Sequence, residues 1–151
     1  MEDNKHYHSL AIMIVLSFIS MYVFMYAMVN IFSNVYSSFN QFYMAGLMTA
    51  PMVIIEMCTM RAMYHNKKWN AVIIVISTLV FIVFWIFIRQ QTAVGDKQFL
   101  RSMIPHHAGA ILMCEQAKVK DPEIIELCKG IIINQQSEIN QMKSKLKELE
   151  Q

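Results

Sequence analysis

Three long apolar runs in the first 88 residues constrain this chain more than any other feature. Residues 10–32 contain no charged side chain, residues 42–60 contain only Glu56, and residues 69–88 contain none before Arg89 closes the run. A helix needs about 20 mostly apolar residues to cross the roughly 30 Å of a bilayer's hydrocarbon. All three runs meet that length, and none alternates as a barrel strand does. Tyr7, Phe32, Tyr36, Phe42, Tyr43, Tyr64 and Trp69 stand near their ends, where interfacial aromatics gather. The pattern predicts an N-terminal segment over 1–9 and three transmembrane helices over about 10–32, 42–64 and 69–89. Helices buried in a soluble bundle fit less well: charged residues make up 16% of the chain, against about 25% in an average soluble domain.

The first run exceeds the 7–15 apolar residues of a cleavable signal, and Glu2 and Asp3 beside Lys5 do not make a basic leader. It reads as an uncleaved span. Lys5, Arg61, Lys67 and Lys68 fall on one side of the three spans, and Arg89, Lys97 and Arg101 on the other; the first loop carries no basic residue. Basic loops stay inside, which places the N-terminus inside and the C-terminal segment outside. The implied location is a bacterial cytoplasmic (inner) membrane, with a periplasmic or extracellular C-terminal domain and membrane lipid as a partner. A net charge of +2 gives no electrostatic footprint for nucleic acid.

Composition changes after Arg89. Residues 90–95 form a polar linker, and residues 96–151 carry equal numbers of acids and bases. Asp96 is positioned to cap a helix running to about Lys118. Asp121-Pro122-Glu123 supplies a cap, a first-turn proline and a first-turn acid for a second helix. Ile124, Cys128, Ile131, Gln135, Ile139, Met142, Leu146 and Leu149 then recur every three or four residues. The fold class expected is all-α, three transmembrane helices followed by an antiparallel helical hairpin.

Chemistry concentrates in the first hairpin helix. Met103, His106, His107, Met113 and Cys114 stack along one side at helical spacing. Thioether, imidazole and thiol are the donors that select copper(I) or zinc over magnesium and calcium. Folding the hairpin about residues 118–122 sets Cys114 level with Cys128. The same register puts the histidines opposite 132–136, with Glu138 and Met142 further along. Pro105 either kinks the helix ahead of the histidines or separates two helices. Ala108, Gly109 and Ala110 leave room for a close neighbour. The histidines could equally be solvated, and Glu138 could reach water from the edge of a core. Cys114 and Cys128 admit a disulfide, thiol ligation of metal, or plain packing.

The run from Phe99 through Met103, Pro105, His106, His107 and Ala110 to Met113, followed by Asp121-Pro122-Glu123, Leu127, Ile131, Gln135, Gln136, Glu138 and Met142, resembles the bacterial domain of unknown function DUF305 over residues 96–149. That resemblance implies a ferritin-like helical fold, secretion or a periplasmic location, and copper binding or resistance. It carries Met103, His106, His107, Met113, Gln135, Glu138 and Met142 as motif positions.

Fourteen methionines are the remaining outlier. Met44, Met48, Met52 and Met60 are four or eight residues apart, a spacing that resembles the Met-x-x-x-Met element of eukaryotic copper-uptake transporters. They would form a membrane path for copper, or serve as adaptable apolar filler. Two helices cover only half of a four-helix bundle, so a homo-oligomer through residues 96–149 is expected. The function expected is metal binding, copper ahead of zinc or iron, at the cell envelope. A structural assembly module without metal is the alternative, and a ferritin-like metal-dependent oxidase is a weaker one, because the hairpin lacks a Glu-x-x-His pattern.

Overall fold

The computed structural model describes residues 2–151, with side chains from Lys5 onward. Met1 and the charges of Glu2 and Asp3, which entered the reading of the 1–9 segment, lie outside the described residues. Five α-helices follow in order: α1 (Glu2–Phe24), α2 (Phe39–Thr59), α3 (Lys67–Gln90), α4 (Asp96–Gln116) and α5 (Pro122–Leu149). Short 3₁₀ turns at Met25–Met28 and Phe32–Asn34 separate α1 from α2. No strand occurs among the described residues. The chain divides into two compact units, one of 1–24 with 40–92 and the other of 25–39 with 93–151.

The first unit holds three helices long and apolar enough to cross a membrane, Lys5–Met28, Phe39–Thr59 and Lys67–Gln90. Asn66 caps α3, its side chain accepting from the amides of Lys68 and Trp69. Pro51 lies within α2, which runs through it. Leu10, Val53, Met57 and Tyr64 form a buried cluster with Tyr7, Met13, Ile73 and Ile74 around it. Tyr7 donates to Asn70 Oδ1 at 2.6 Å, and Asn70 donates to the Tyr64 carbonyl at 2.8 Å. At the other end Tyr43 stacks on Phe84, and Phe42 meets both Phe18 and Phe84 edge-on. Gly46 makes this approach feasible, because a Cβ there would stand 2.2 Å from the Phe84 ring. Ile12, Leu16 and Ile19 on α1 and Val75, Ile76 and Leu79 on α3 remain exposed, as lipid-facing positions would.

Helix bounds depart from the sequence reading in several places, and the second span, expected over 42–64, is α-helical over Phe39–Thr59. The first apolar run, expected as one span over 10–32, ceases to be α-helical at Phe24. Asn30 explains part of this: its side chain accepts from the Ile31 amide and from Asn34 Nδ2, local bonds that compete with a helix ladder. Asp96 is the first residue of α4 rather than its cap; Gly95 holds the extended cap position without a side-chain bond, and the helix ends at Gln116.

In the second unit α4 and α5 pack against one another. Asp121 caps α5 as the sequence suggests, accepting from the amides of Glu123 and Ile124, with Pro122 at the first position. Pro105 sits inside a continuous α4 and separates no helices. Ile104, Ala108 and Ile111 from α4 and Ile139 and Leu146 from α5 make the buried seam. Val29 and Tyr36, from the segment after α1, pack on the same core. The small residues of α4 admit that segment closely, since a Cβ on Gly109 would lie 3.4 Å from the Met28 carbonyl oxygen.

Candidate functional site

A second row runs beside the apolar seam of the hairpin. On α4 it comprises Met103, His107, Ala110 and Cys114; on α5 it comprises Cys128, Gln135, Glu138 and Met142. Both follow the three-to-four spacing of one helical face. The two rows meet at His107, whose Nε2 lies 2.6 Å from Glu138 Oε2. That register places Met103 level with Met142 one turn toward the open end, and Ala110 level with Gln135 one turn toward the connection. By the same register Cys114 is level with Ile131 rather than with Cys128 as the sequence suggests; Cys128 stands one turn nearer the connection and is the neighbour that acts on the Cys114 thiol. Beyond the methionines, Arg101 Nη2 pairs with Glu150 at 2.6 Å.

His107 is buried, and both of its ring nitrogens are engaged. Nδ1 lies 2.9 Å from the Met103 carbonyl oxygen. A carbonyl oxygen only accepts, so Nδ1 carries the hydrogen and donates it. This fixes the ring and turns Nε2 toward Glu138. One proton lies between Nε2 and the carboxylate, as an imidazolium N–H donating to oxygen or a carboxylic O–H donating to nitrogen. Glu138 reaches it from a position whose side chain is 54% exposed. One turn away, Gln135 Oε1 is buried and accepts no hydrogen bond.

The remaining residues of the predicted site lie apart from the His107–Glu138 pair. His106 is exposed, its ring 6.0 Å from that of His107 and inclined at 64°. Met113 is 53% exposed. Met103 is half-buried, and Met142 packs against the core. The hairpin therefore gathers His107, Glu138 and Gln135, brings Met103 and Met142 to one level, and leaves His106 and Met113 on the outer surface. No group of three or more His, Cys, Asp or Glu side chains suited to a metal ion occurs among the described residues.

Cys114 and Cys128 are free thiols, both half-buried. The hydrogen bond to Cys128, with burial and the charge of that neighbour, pushes the Cys114 thiol up to about 11. Met44 and Met48 in α2 and Met60 just after it are exposed, and Met52 in α2 is half-buried. The inner face of that helix instead carries Tyr43, Ala45, Gly46, Thr49, Ala50, Val53 and Met57. Within one chain the methionine row lies on the outside of the three-helix unit.

Sequence reasoning missed Val29 and Tyr36 as cover for the hairpin. The usable signal was the polar cluster Asn30, Ser33, Asn34, Ser37 and Ser38, which interrupts the apolar pattern and marks an ordered connection rather than a continuing span.

Residues 88–146 match the model of a family described as Domain of unknown function (DUF305). Over 140 residues the chain is 36% identical to Uncharacterized protein L153 of Acanthamoeba polyphaga mimivirus, covering 91% of this chain and 90% of that one. No solved structure matches it.

Proposed function

Because the chain belongs to the DUF305 family, we propose that it is a membrane-anchored protein whose α4–α5 hairpin binds a soft metal ion, copper(I) ahead of zinc or iron. The observation that carries this reading is the state of His107. Its Nδ1–H is tied to a backbone carbonyl, the outer-shell bond that orients metal-ligating imidazoles and leaves Nε2 to coordinate. A cation would take the place of the proton between Nε2 and Glu138, and the half-exposed carboxylate would turn to solvent or stay as a bridging acceptor. Met103 and Met142, level with each other one turn away, supply thioethers of the kind copper(I) prefers. The buried, unsatisfied Gln135 oxygen fits an orienting role.

A copper(I) competition titration against a chromophoric chelator, on the full chain in detergent without oxygen, tests the reading. His107→Ala should weaken retention about tenfold or more, a loss of about 1.4 kcal/mol per decade. His106→Ala, on the outer surface, should leave it within about twofold. Equal retention by the wild-type chain and H107A would discard this site.

The proposed orientation keeps the N-terminus and the 61–68 loop on the cytosolic side and the hairpin on the other. Supporting it, residues 25–39 and 93–151 share one compact unit, and three crossings return both segments to one side. The loop that joins the hairpin there lacks basic residues, as a translocated loop should. The membrane would be that of a bacterial envelope or, following the relative, of a large virus or its host.

A second reading, assembly of copies through residues 96–149, draws on a specific feature. Leu127 is 61% exposed and Ile133 68%, large apolar groups that a monomeric surface seldom gathers on one helix. Light scattering on the detergent-solubilised chain should give a mass above one protomer, reduced in Leu127→Lys/Ile133→Lys. A monomeric wild type would remove this reading and leave the metal site untouched.

A further inference from the structure

The end of the hairpin nearest its connection carries a feature that the metal reading does not use. Cys114 ends the row on α4 and Cys128 begins it on α5, with residues 117–121 turning the chain between them. They flank the connection on the facing rows of two packed helices, both are half-buried and free, and Cys128 is the neighbour that acts on the Cys114 thiol. Cys58, the third cysteine, lies in α2 and is exposed. Among the described residues no third histidine, cysteine or carboxylate joins the pair to make a metal-binding group. Two neighbouring thiols without a third His, Cys or carboxylate donor suit bond formation with each other better than coordination of an ion that takes three or four ligands.

We propose that Cys114 and Cys128 are a reversible disulfide site, oxidised by a low-molecular-weight disulfide of the glutathione class, that staples α4 to α5 beside their connection. The exchange balances in two steps. A thiolate of the pair attacks one sulfur of the external disulfide, forming a mixed disulfide and releasing one external thiolate. The second protein thiolate attacks the protein sulfur of that mixed disulfide and expels the other external thiolate. The protein loses two electrons and two protons; the external disulfide gains both and leaves as two thiols. The staple closes a ring of about 15 residues, a loop length at which cross-linking restrains the unfolded chain appreciably. It also fixes the register along which His107 and Glu138 meet.

The full chain in detergent, freed of metal by a chelator, is equilibrated in glutathione buffers from reducing to oxidising, denatured, and tagged with a maleimide for mass analysis. Reduced chain should take three tags. Oxidised chain should take one, at Cys58, with a peptide cross-link joining residues 114 and 128; dithiothreitol should restore all three. Cys114→Ser and Cys128→Ser should each form no such link under the same buffers. The rate of linking should climb steeply between about pH 7 and 9, as thiolate replaces thiol. Three tags at every poise would overturn the proposal, as would a link that includes Cys58 or joins two chains. Protection of both thiols only when copper(I) is added would overturn it in favour of thiolate coordination. His107→Ala should still form the link, so failure of the metal site and failure of the thiol site read out separately.

Discussion

The bond between His107 and Glu138 is unequal in its two partners. The imidazole is buried at 8% exposure, whereas the carboxylate belongs to a side chain in contact with water. Removing the carboxylate strands a buried nitrogen, a penalty of about 1–3 kcal/mol. Water can reach the vacated place beside so exposed a partner, so Glu138→Ala should fall at the low end, about 1 kcal/mol. Chemical denaturation of the detergent-solubilised chain measures it, and a loss above about 3 kcal/mol would mean that Nε2 is sealed from solvent. Cys114 gives a pH dependence with a defined sign. Its thiol ordinarily loses its proton near 9.0 and does so here at about 11. The folded chain thus favours the protonated form, and the associated stability is present below pH 9 and is lost as pH rises toward 11. A thermal midpoint measured under reducing conditions should decline across that window, with a shallower decline in Cys114→Ser. Gly46 is the third sensitive residue. A methyl group placed against the Phe84 ring is overpacking, and Gly46→Ala should cost about 1–3 kcal/mol. The expected register set the histidines opposite 132–136, short of the observed partner Glu138, and only the facing of the two rows was legible in the sequence. The outward turn of His106 and Met113 was not, because adjacent helical positions differ by about 100° and a short apolar stretch does not fix the phase.

At the scale of elements, α5 is the best-specified part of the chain. Asp121 accepts two amide bonds, at 2.9 and 3.2 Å, Pro122 presets the first turn, and Glu123 faces the positive end of the helix dipole. Asp121→Ala should cost about 1 kcal/mol, seen as a lower thermal midpoint with unchanged helix content at low temperature. These signals are local, so the sequence displays them without the fold. The start of α4 and the end of α1 were harder, for a shared reason. Asp96 and Gly95 both suit a cap, and the choice rests on a backbone conformation, φ −86° and ψ −175° at Gly95, that composition does not encode. Apolar content persists from Phe24 to Phe32 while the α-helix stops. Hydropathy reports what a segment wishes to touch and is silent on whether its amides bond four residues back.

For the whole molecule, three apolar runs announced three long apolar helices, and the two-helix remainder announced a hairpin. The hidden part was the enrolment of residues 25–39 into the hairpin's unit. Contacts between Val29 or Tyr36 and the Ile104 core join positions on the order of 70 residues apart, and no local pattern carries such information. A fragment of residues 93–151 alone would expose the core that Val29 and Tyr36 cover. It should be cleaved by a nonspecific protease several-fold faster than the same region in the full chain. Equal resistance would show that the hairpin needs nothing from the segment after α1.

That enrolment has a consequence for biogenesis. The stretch after α1 emerges from the ribosome long before α4 is made, and its docking surface arrives only once α3 has been made. Closure of that unit must therefore wait until α4 and α5 follow, so acquisition of protease resistance around Ile104 would serve as a clock for the completed chain.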